Sequence, residues 1–220
     1  SPNSYVGRGF ILMERGIKPI FPLPIFLDKA EGNEYTAIQK ELTTVKSKLN
    51  FNDKWYDGGG WMLSENPFES NFLIEHGCHH SINFINKTVD KFIRDLYGKN
   101  HLGKWVIAES WMTKTIKGKC AREHCHGAAD ISGVYYLDTN GKDGNLLFTN
   151  PYSNLSCNML LLDLVDHDMR MPYLENGMIA LWPGQLKHRT LVNETDHERI
   201  SVSFNITLGK KGFGIPTTSN

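Results

Sequence analysis

Two histidines with one residue between them, His124 and His126, stand shortly before a β-type segment at 131–137. Alternate residues of an extended chain lie on the same face, so both imidazoles can point to one side while Cys125 points to the other. Two converging imidazoles are the means by which one strand supplies two ligands to iron, zinc, copper or nickel. Taken alone, the pair also fits two surface histidines in a loop.

A third imidazole is available at His188, which follows an apolar segment at 177–184 that ends in Pro-Gly. We expect His188 to be either a third metal ligand or a histidine at the edge of the core that donates to a carbonyl. Asp130, four residues after His126, is the alternative to His126 as the second ligand. We favour His126, because its spacing of two from His124 is the one that strand geometry requires.

The last predicted strand, 199–208, alternates between an apolar face and a polar face that lacks Lys and Glu. Small polar groups around a single arginine suit a cavity that binds one carboxylate, because a guanidinium pairs with a carboxylate through two parallel hydrogen bonds. The same alternation also fits an outer strand with one solvated face. The polar residues are Arg199, Ser201, Ser203 and Asn205.

The register of the last two predicted strands connects His188 to this polar face. If 193–198 is a simple hairpin loop, Thr190 lies opposite Ser201 and His188 lies opposite Ser203. Opposed residues share a face, so His188 and Arg199 would look into the same space, separated by roughly 13 Å along the strand. A short dicarboxylic acid between the two side chains would fill that gap.

The composition excludes several classes of protein. The 220 residues include 24 Lys and Arg and 24 Asp and Glu, so the chain lacks the cationic surplus that duplex nucleic acid requires. No apolar run approaches the roughly 20 residues that span a bilayer, so we expect no membrane partner. The four cysteines form no Cys-x-x-Cys pair, which favours reduced thiols and a cytoplasmic protein.

Hydrophobic periodicity predicts helices in the first half of the chain and strands in the second. We expect an edge strand at 20–27 and helices at 35–49 and 71–96. The fold class is α+β and mostly β, with 1–220 as one domain in which helices at about 28–100 pack on one face of a β core at about 104–208. Turn clusters separate six predicted strands in that core: 105–115, 131–137, 145–149, 178–182, 186–192 and 199–208.

Several motifs occur in one order along the chain: His-x-His, Ser-Gly-Val-Tyr-Tyr-Leu at 132–137, Gly-Asn-Leu-Leu-Phe at 144–148, Trp-Pro at 182–183, His188, and Arg-Ile-Ser from Arg199. In this order they resemble the Fe(II)- and 2-oxoglutarate-dependent oxygenases. The chain is similar in particular to an oxygenase family of bacteria and bacteriophages that has a Phe-Pro-x-Pro start, as at 21–24 here. The resemblance covers roughly 20–208.

The resemblance implies a double-stranded β-helix (a jelly-roll, cupin-like core) and a role for each matching residue. His124, His126 and His188 would hold Fe(II), and Arg199 with Ser201 would bind the distal carboxylate of the co-substrate 2-oxoglutarate. Tyr136 matches a tyrosine that holds this carboxylate in related prolyl hydroxylases. The implied activity is a dioxygenase that hydroxylates an unidentified substrate with dioxygen, releasing succinate and CO₂, in the cytoplasm (of the host, if the protein is viral).

His126 departs from the pattern of the superfamily, which has a carboxylate ligand at this position. Three neutral imidazoles leave a metal site one unit more positive than two imidazoles and a carboxylate, and they suit zinc, copper and nickel as well as iron. A cupin-like metal- or ligand-binding module without turnover is therefore one alternative, and an interaction domain with incidental histidines is another. Arg199 favours the oxygenase, because a metal-holding barrel needs no buried arginine near its metal. The sequence indicates neither the substrate nor the oligomeric state.

Overall fold

The computed structural model describes residues 23–52, 62–63, 70–97, 104–151, 169–171 and 174–209. Within these residues, three helices and nine strands follow one another along the chain. No helix in this part of the chain is long and apolar enough to cross a membrane. The elements are β1 Phe26–Lys29, α1 Gly32–Lys46, β2 Met62–Leu63, α2 Phe72–Glu75, α3 His79–Tyr97, β3 Lys104–Thr115, β4 Ile131–Asp138, β5 Leu146–Phe148, β6 Met169–Arg170, β7 Met178–Pro183, β8 His188–Thr190 and β9 Arg199–Gly209.

The strands form two sheets of antiparallel pairs. The major sheet has the order β1-β7-β4-β9-β3-β2, and the minor sheet has the order β6-β5-β8. Strand β9 lies inside the major sheet, paired along one side with β3 and along the other with β4. The two sheets pack against each other through apolar side chains of β4, β5 and β7, among them Val134, Phe148 and Trp182. The expected edge strand is β1, which pairs with β7; positions 20–22 of that prediction lie outside the described residues.

The other face of the major sheet carries the main hydrophobic core and the helices. The apolar side chains of β9 share this core with those of α1 and α3, which cover the sheet on this side only. Burying such side chains stabilises the fold by roughly 25 cal/mol per Å² of apolar surface. This gain in free energy determines that every second residue of β9 faces the core. The fully buried β9 side chains are Ile200, Val202, Phe204 and Ile206.

The helix predicted at 71–96 is divided in two, with α2 ending and α3 beginning around Gly77. Gly77 has a φ of 64°, the left-handed conformation that glycine adopts without steric cost. The Cys78 N–H donates to the Leu73 carbonyl at 2.8 Å and the Gly77 N–H donates to the Ile74 carbonyl at 3.1 Å. This pair of bonds is a Schellman motif, which satisfies the carbonyls of a helix end and stops the helix. The apolar stripe continued through the break, so periodicity alone did not locate it.

The predicted hairpin between the last two strands is wrong. Strand β8 pairs with β5 in the minor sheet, with His188 beside Phe148, and not with β9. The intervening segment crosses between sheets: the Asn193 side chain donates to the Thr115 carbonyl, and its backbone N–H donates to the Lys119 carbonyl. These bonds hold the segment across the end of β3 rather than in a tight turn. His188 and Arg199 nevertheless line one cavity, because the two sheets face each other.

Gly133 allows a close contact in the middle of β4. A Cβ atom there would lie 2.3 Å from the Phe204 ring and 2.7 Å from Leu181 Cδ2, both in the main core. We expect Gly133→Ala to destabilise the protein by about 1–3 kcal/mol through overpacking. Urea unfolding followed by circular dichroism measures this. Gly127→Ala is the matched control, since no atom lies within 4 Å of its added Cβ; equal stability of the two variants would contradict the expectation.

Candidate functional site

A cavity of about 60 Å³ lies between the two sheets and is lined by all the predicted ligand residues except Asp130, the alternative to His126. It is large enough for more than a single water molecule. The major sheet contributes polar side chains of β3, β4 and β9, and the minor sheet contributes His188 and Thr190. The candidate site residues that line the cavity are His124, His126, Tyr136, His188, Arg199, Ser201 and Ser203.

The three histidines are brought together by backbone hydrogen bonds. His124 and His188 exchange N–H···O bonds of 3.0 and 2.9 Å, as opposed residues of antiparallel strands do. The His126 N–H donates to the Gly184 carbonyl at 2.8 Å, which places the second imidazole beside the turn after β7. One ligand nitrogen of each histidine lies within 4.8 Å of those of the other two. This cluster is the arrangement that the His-x-His spacing and His188 predicted.

Each of the three imidazoles has an acceptor oxygen beside Nδ1. His124 Nδ1 lies 2.7 Å from the Arg122 carbonyl, and His188 Nδ1 lies 2.9 Å from the Leu186 carbonyl. His126 Nδ1 lies 2.6 Å from Asn205 Oδ1, a side-chain oxygen. Carbonyl oxygens only accept, so Nδ1 carries the proton in each case and Nε2 keeps the lone pair that a metal would take.

Burial keeps these imidazoles neutral. It lowers the pKa of His126 to about 4, against a smaller opposing effect of the Asn205 hydrogen bond. It lowers the pKa of His188 to about 3, with the charge of His124 acting in the same direction. The pKa of His124 is also lowered, again mainly by burial. Metal ligation requires neutral imidazole, so burial favours the binding form of the cluster at neutral pH.

Asp130 does not belong to this cluster. Its carboxylate Oδ2 accepts the Leu208 N–H at 2.7 Å, which ties the start of β4 to the end of β9. Among the described residues, the group that could hold a metal consists of the three histidines without a carboxylate. Three neutral nitrogen donors, each oriented by a hydrogen bond, fit a divalent first-row transition metal. The structure therefore favours His126 over Asp130 as the second ligand.

Arg199 is buried at another part of the cavity wall, with 3% of its surface exposed. Its Nη1 donates to the Asp143 carbonyl at 3.1 Å and to the Gly144 carbonyl, and its Nη2 donates to Thr115 Oγ1 at 3.1 Å. Its Nε is buried without a hydrogen-bond partner in the described part of the chain. Burial lowers the pKa of Arg199, opposed by Tyr136 and Asp143. A buried guanidinium with an unused donor is suited to an anion that enters the cavity.

Hydroxyl groups surround this arginine. Tyr136 on β4 and Thr113 on β3 are the two cross-strand neighbours of Ser201 on β9, so all three share the face of the sheet that lines the cavity. Burial raises the pKa of Tyr136 to about 12, against an opposing effect of the Arg199 charge. The phenol is therefore protonated and can donate. This part of the wall is a set of hydrogen-bond donors suited to a carboxylate.

Strand alternation predicts the face on which Asn205 lies but no role for it, and it predicts no role for Thr115 or Ser132. The Ser132 hydroxyl donates to Asn205 Oδ1 at 3.0 Å, so the same oxygen is hydrogen-bonded to Ser132 and to His126. Strand alternation could have identified Thr115, since it is opposite Arg199 in the β3–β9 ladder. That required knowing that β3 rather than β8 is the neighbour of β9.

Comparison with known proteins agrees with this site. Residues 109–205 match the sequence model of the family described as "Putative 2OG-Fe(II) oxygenase". The matched region begins at Glu109 in β3 and ends at Asn205 in β9, so it includes the three histidines and Arg199. None of the curated proteins with which the chain was compared matches it.

Solved structures of low sequence identity share the fold. A prolyl-4-hydroxylase from Pseudomonas putida is 13% identical, with a TM-score of 0.54, over 83% of this chain and 92% of that one. HygX from Streptomyces hygroscopicus, solved with nickel, 2-oxoglutarate and hygromycin B, is 12% identical, with a TM-score of 0.54, over 84% and 82%. The epimerase SnoN, in complex with Fe³⁺, alpha ketoglutarate and nogalamycin RO, is 13% identical, with a TM-score of 0.59, over 90% and 88%.

The predicted double-stranded β-helix is thus confirmed by structures that cover most of the chain, and the predicted resemblance is confirmed by the match over the site-bearing strands. One cavity between the sheets is lined by three neutral imidazoles that could hold a metal ion and by a buried arginine. Over residues 109–205, which carry the three histidines and Arg199, the chain is similar to the family described as "Putative 2OG-Fe(II) oxygenase".

Proposed function

We propose that the cavity between the sheets binds Fe(II) and 2-oxoglutarate together and that the protein hydroxylates a substrate with dioxygen, releasing succinate and CO₂. The observation that carries this proposal is the presence of three neutral histidines and a buried arginine in the wall of one cavity. A metal centre and an anion site so close together suit a ligand with a chelating end and a distal carboxylate. 2-Oxoglutarate has both.

The roles of the residues follow from their partners. His124, His126 and His188 would hold the metal through Nε2, because their Nδ1 atoms donate to oxygen acceptors. Arg199, Ser201 and Tyr136 would bind the distal carboxylate of 2-oxoglutarate, with the guanidinium supplying the charge and the hydroxyls additional donors. When bound, the metal and 2-oxoglutarate supply the dioxygen activation that oxidises the substrate.

Two tryptophans limit the access of water to the three-histidine cluster. The Trp111 ring stacks against His126, with centroids 5.8 Å apart and planes at 27°. The Trp182 ring meets His188 edge to face, with centroids 4.8 Å apart. These rings fix the imidazole planes and present apolar surface around the ligands. A dry, rigid surround is what the protein contributes when the hard chemistry belongs to a cofactor.

A metal-binding module without turnover is the second candidate, and Arg199 argues against it. A buried guanidinium is costly to desolvate, and the buried Asp143 carboxylate stabilises the Arg199 charge without forming an ion pair with it, so Nε stays free for an anion.

We further infer that the helices and strands form one catalytic domain, since α1 and α3 share the core of the major sheet. Cys120 and Cys125 are free thiols, which favours a reducing compartment such as the cytoplasm.

The first test is an anaerobic titration of the metal-free protein with Fe(II) and 2-oxoglutarate, following the visible metal-to-ligand charge-transfer band. We expect the band to saturate near one equivalent of each. Arg199→Ala should weaken 2-oxoglutarate binding by about 30-fold or more, the cost of removing one partner of a desolvated charged pair. The affinity of Arg199→Lys for 2-oxoglutarate should lie between those of wild type and Arg199→Ala, because lysine keeps the positive charge but lacks the planar guanidinium.

The control for this titration is Arg94→Ala, which removes a surface arginine that pairs with Asp90 on α3. Circular dichroism of each variant checks that the fold is retained. If metal binds without a band, or if Arg199→Ala and Arg94→Ala bind 2-oxoglutarate equally well, the cavity does not hold the co-substrate and the metal-binding module becomes the better assignment.

A second prediction concerns the stability of the metal-free protein below neutral pH. Unfolded histidines take up a proton near pH 6.5, whereas folded His126 and His188 resist protonation down to about pH 4 and 3. The unfolded state thus binds more protons in this window, so the free energy of unfolding falls as the pH decreases from 6.5 towards 4. Each such histidine contributes a slope of about 1.4 kcal/mol per pH unit.

Urea unfolding between pH 7 and pH 5 measures that slope. His188→Gln should reduce it by the contribution of one proton. Phe148→Leu is the matched control: it disturbs the packing beside His188, where the ring centroids are 6.2 Å apart, and removes no imidazole. An unchanged slope in His188→Gln would mean that His188 is not neutral in the folded protein.

A further inference from the structure

Asn205 connects the three-histidine cluster to the carboxylate of Glu109, which lies outside that cluster. Its Oδ1 lies 2.6 Å from His126 Nδ1, and its Nδ2 donates to Glu109 Oε2 at 2.7 Å. The Ser132 hydroxyl donates to the same Oδ1 at 3.0 Å. Asn205 is 7% exposed and Ser132 is fully buried, so the bond between them is shielded from water, while the bonds to His126 and Glu109 are partly buried. His126 is therefore linked through one amide to the Glu109 carboxylate.

A β-bulge in β3 brings Glu109 into contact with Asn205. The register of β3 with β9 shifts between Ile107 and Glu109, so Ala108 is an extra residue in the ladder. Before the shift, Ile107 pairs with Ile206 and both belong to the main core. After it, Glu109 pairs with Asn205 on the opposite face. Without the extra residue, Ala108 would be opposite Asn205. Bulges of this kind commonly redirect side chains at functional sites.

The Glu109 carboxylate determines which way the Asn205 amide is oriented. A carboxylate oxygen only accepts, so the NH₂ group of Asn205 must face Glu109 and its carbonyl oxygen must face His126. That carbonyl in turn requires a proton on His126 Nδ1, which leaves the lone pair on Nε2. The other two histidines are oriented by main-chain carbonyls, of Arg122 and Leu186. His126 is oriented by side chains.

We propose that Glu109 and Asn205 are positioning residues, which raise the affinity of His126 for a metal from outside the coordination sphere. Through Asn205, the negative charge of Glu109 polarises the His126 Nδ1–H bond and makes Nε2 a stronger donor to the metal. The same chain of bonds fixes the ring in the metal-binding tautomer. This inference rests on the proposed function, in which His126 is a metal ligand. Outer partners of this type commonly change metal affinity by 10- to 100-fold.

The test compares four proteins: wild type, Asn205→Ala, Glu109→Gln and the control Glu175→Gln. Asn205→Ala removes the hydrogen bonds to His126, Glu109 and Ser132. Glu109→Gln keeps an oxygen that accepts from Asn205 and removes the charge, so it separates charge from geometry. Glu175 pairs with Lys29 on the surface at the far edge of the sheet, and its substitution removes a carboxylate without touching the site.

Two properties are measured on each protein. The first is the affinity for Co(II), used as a spectroscopic stand-in for Fe(II), from its visible absorption in the absence of 2-oxoglutarate. The second is the tautomer of His126 in the metal-free protein, from the ¹⁵N chemical shifts of its imidazole. Thermal unfolding of the same samples measures any loss of stability separately.

We expect Asn205→Ala to weaken Co(II) binding by 10- to 100-fold and to give a mixture of His126 tautomers. Glu109→Gln should weaken Co(II) binding by several-fold, with the Nδ1–H tautomer retained. Glu175→Gln should match wild type. If Asn205→Ala binds Co(II) within twofold of wild type, or if its His126 remains wholly in the Nδ1–H form, Glu109 and Asn205 serve only to pair β3 with β9 and the proposal is wrong.

The two measurements also distinguish this failure from failure of the proposed function. A wild type that binds no Co(II) would overturn the metal site itself, while the ¹⁵N spectra would still report whether Asn205 sets the tautomer of His126. A wild type that binds Co(II) with no change on losing Asn205 would leave the metal site in place and overturn the positioning role.

Discussion

The strict alternation of β9 is the constraint on which the rest of the structure depends. This strand is paired on both sides, with β3 and with β4, so its side chains can face in only two directions. One set is fully buried against the helices and the other set lines the cavity. A shift of one residue would exchange the two sets and place Arg199 in the hydrophobic core. The energy that fixes the core therefore also fixes the site.

Burial between the sheets gives the site its chemistry. The same exclusion of water that keeps His126 and His188 neutral leaves Arg199 with a buried Nε that has no partner among the described residues. Neutral imidazoles favour a cation, and a buried guanidinium with an unpartnered donor favours an anion. One cavity is thus suited to two ligands of opposite charge. Among the described residues, no carboxylate belongs to the histidine cluster. Under the proposed function, the hydrogen bonds around the imidazoles, above all that of Asn205, therefore set how well the cluster would hold a metal.

Much of this could be predicted from local sequence. The β-type runs predicted six of the seven strands of the β core to within a few residues, because alternation and turn residues are local properties, and they missed the two-residue strand β6. The His-x-His spacing placed two imidazoles on one face, and the polar residues of the last strand were assigned to one side together. The single helix at 71–96 and the hairpin between β8 and β9 were wrong. The helix breaks at Gly77, a left-handed glycine inside an apolar stripe that continues past it. The pairing of β8 depends on which strands become neighbours in the folded chain.

Which residues share a face follows from local sequence, since the periods of two and 3.6 are properties of the backbone. Local sequence therefore predicts the candidate ligands and a candidate carboxylate-binding strand. Which faces meet depends on the packing of the whole chain. Strand β8 joins the minor sheet, so His188 reaches the cavity from the side opposite Arg199. The extra residue at Ala108 likewise brings Glu109 to Asn205. Strand pairing between distant segments is set by the burial of the whole core, which no local pattern contains.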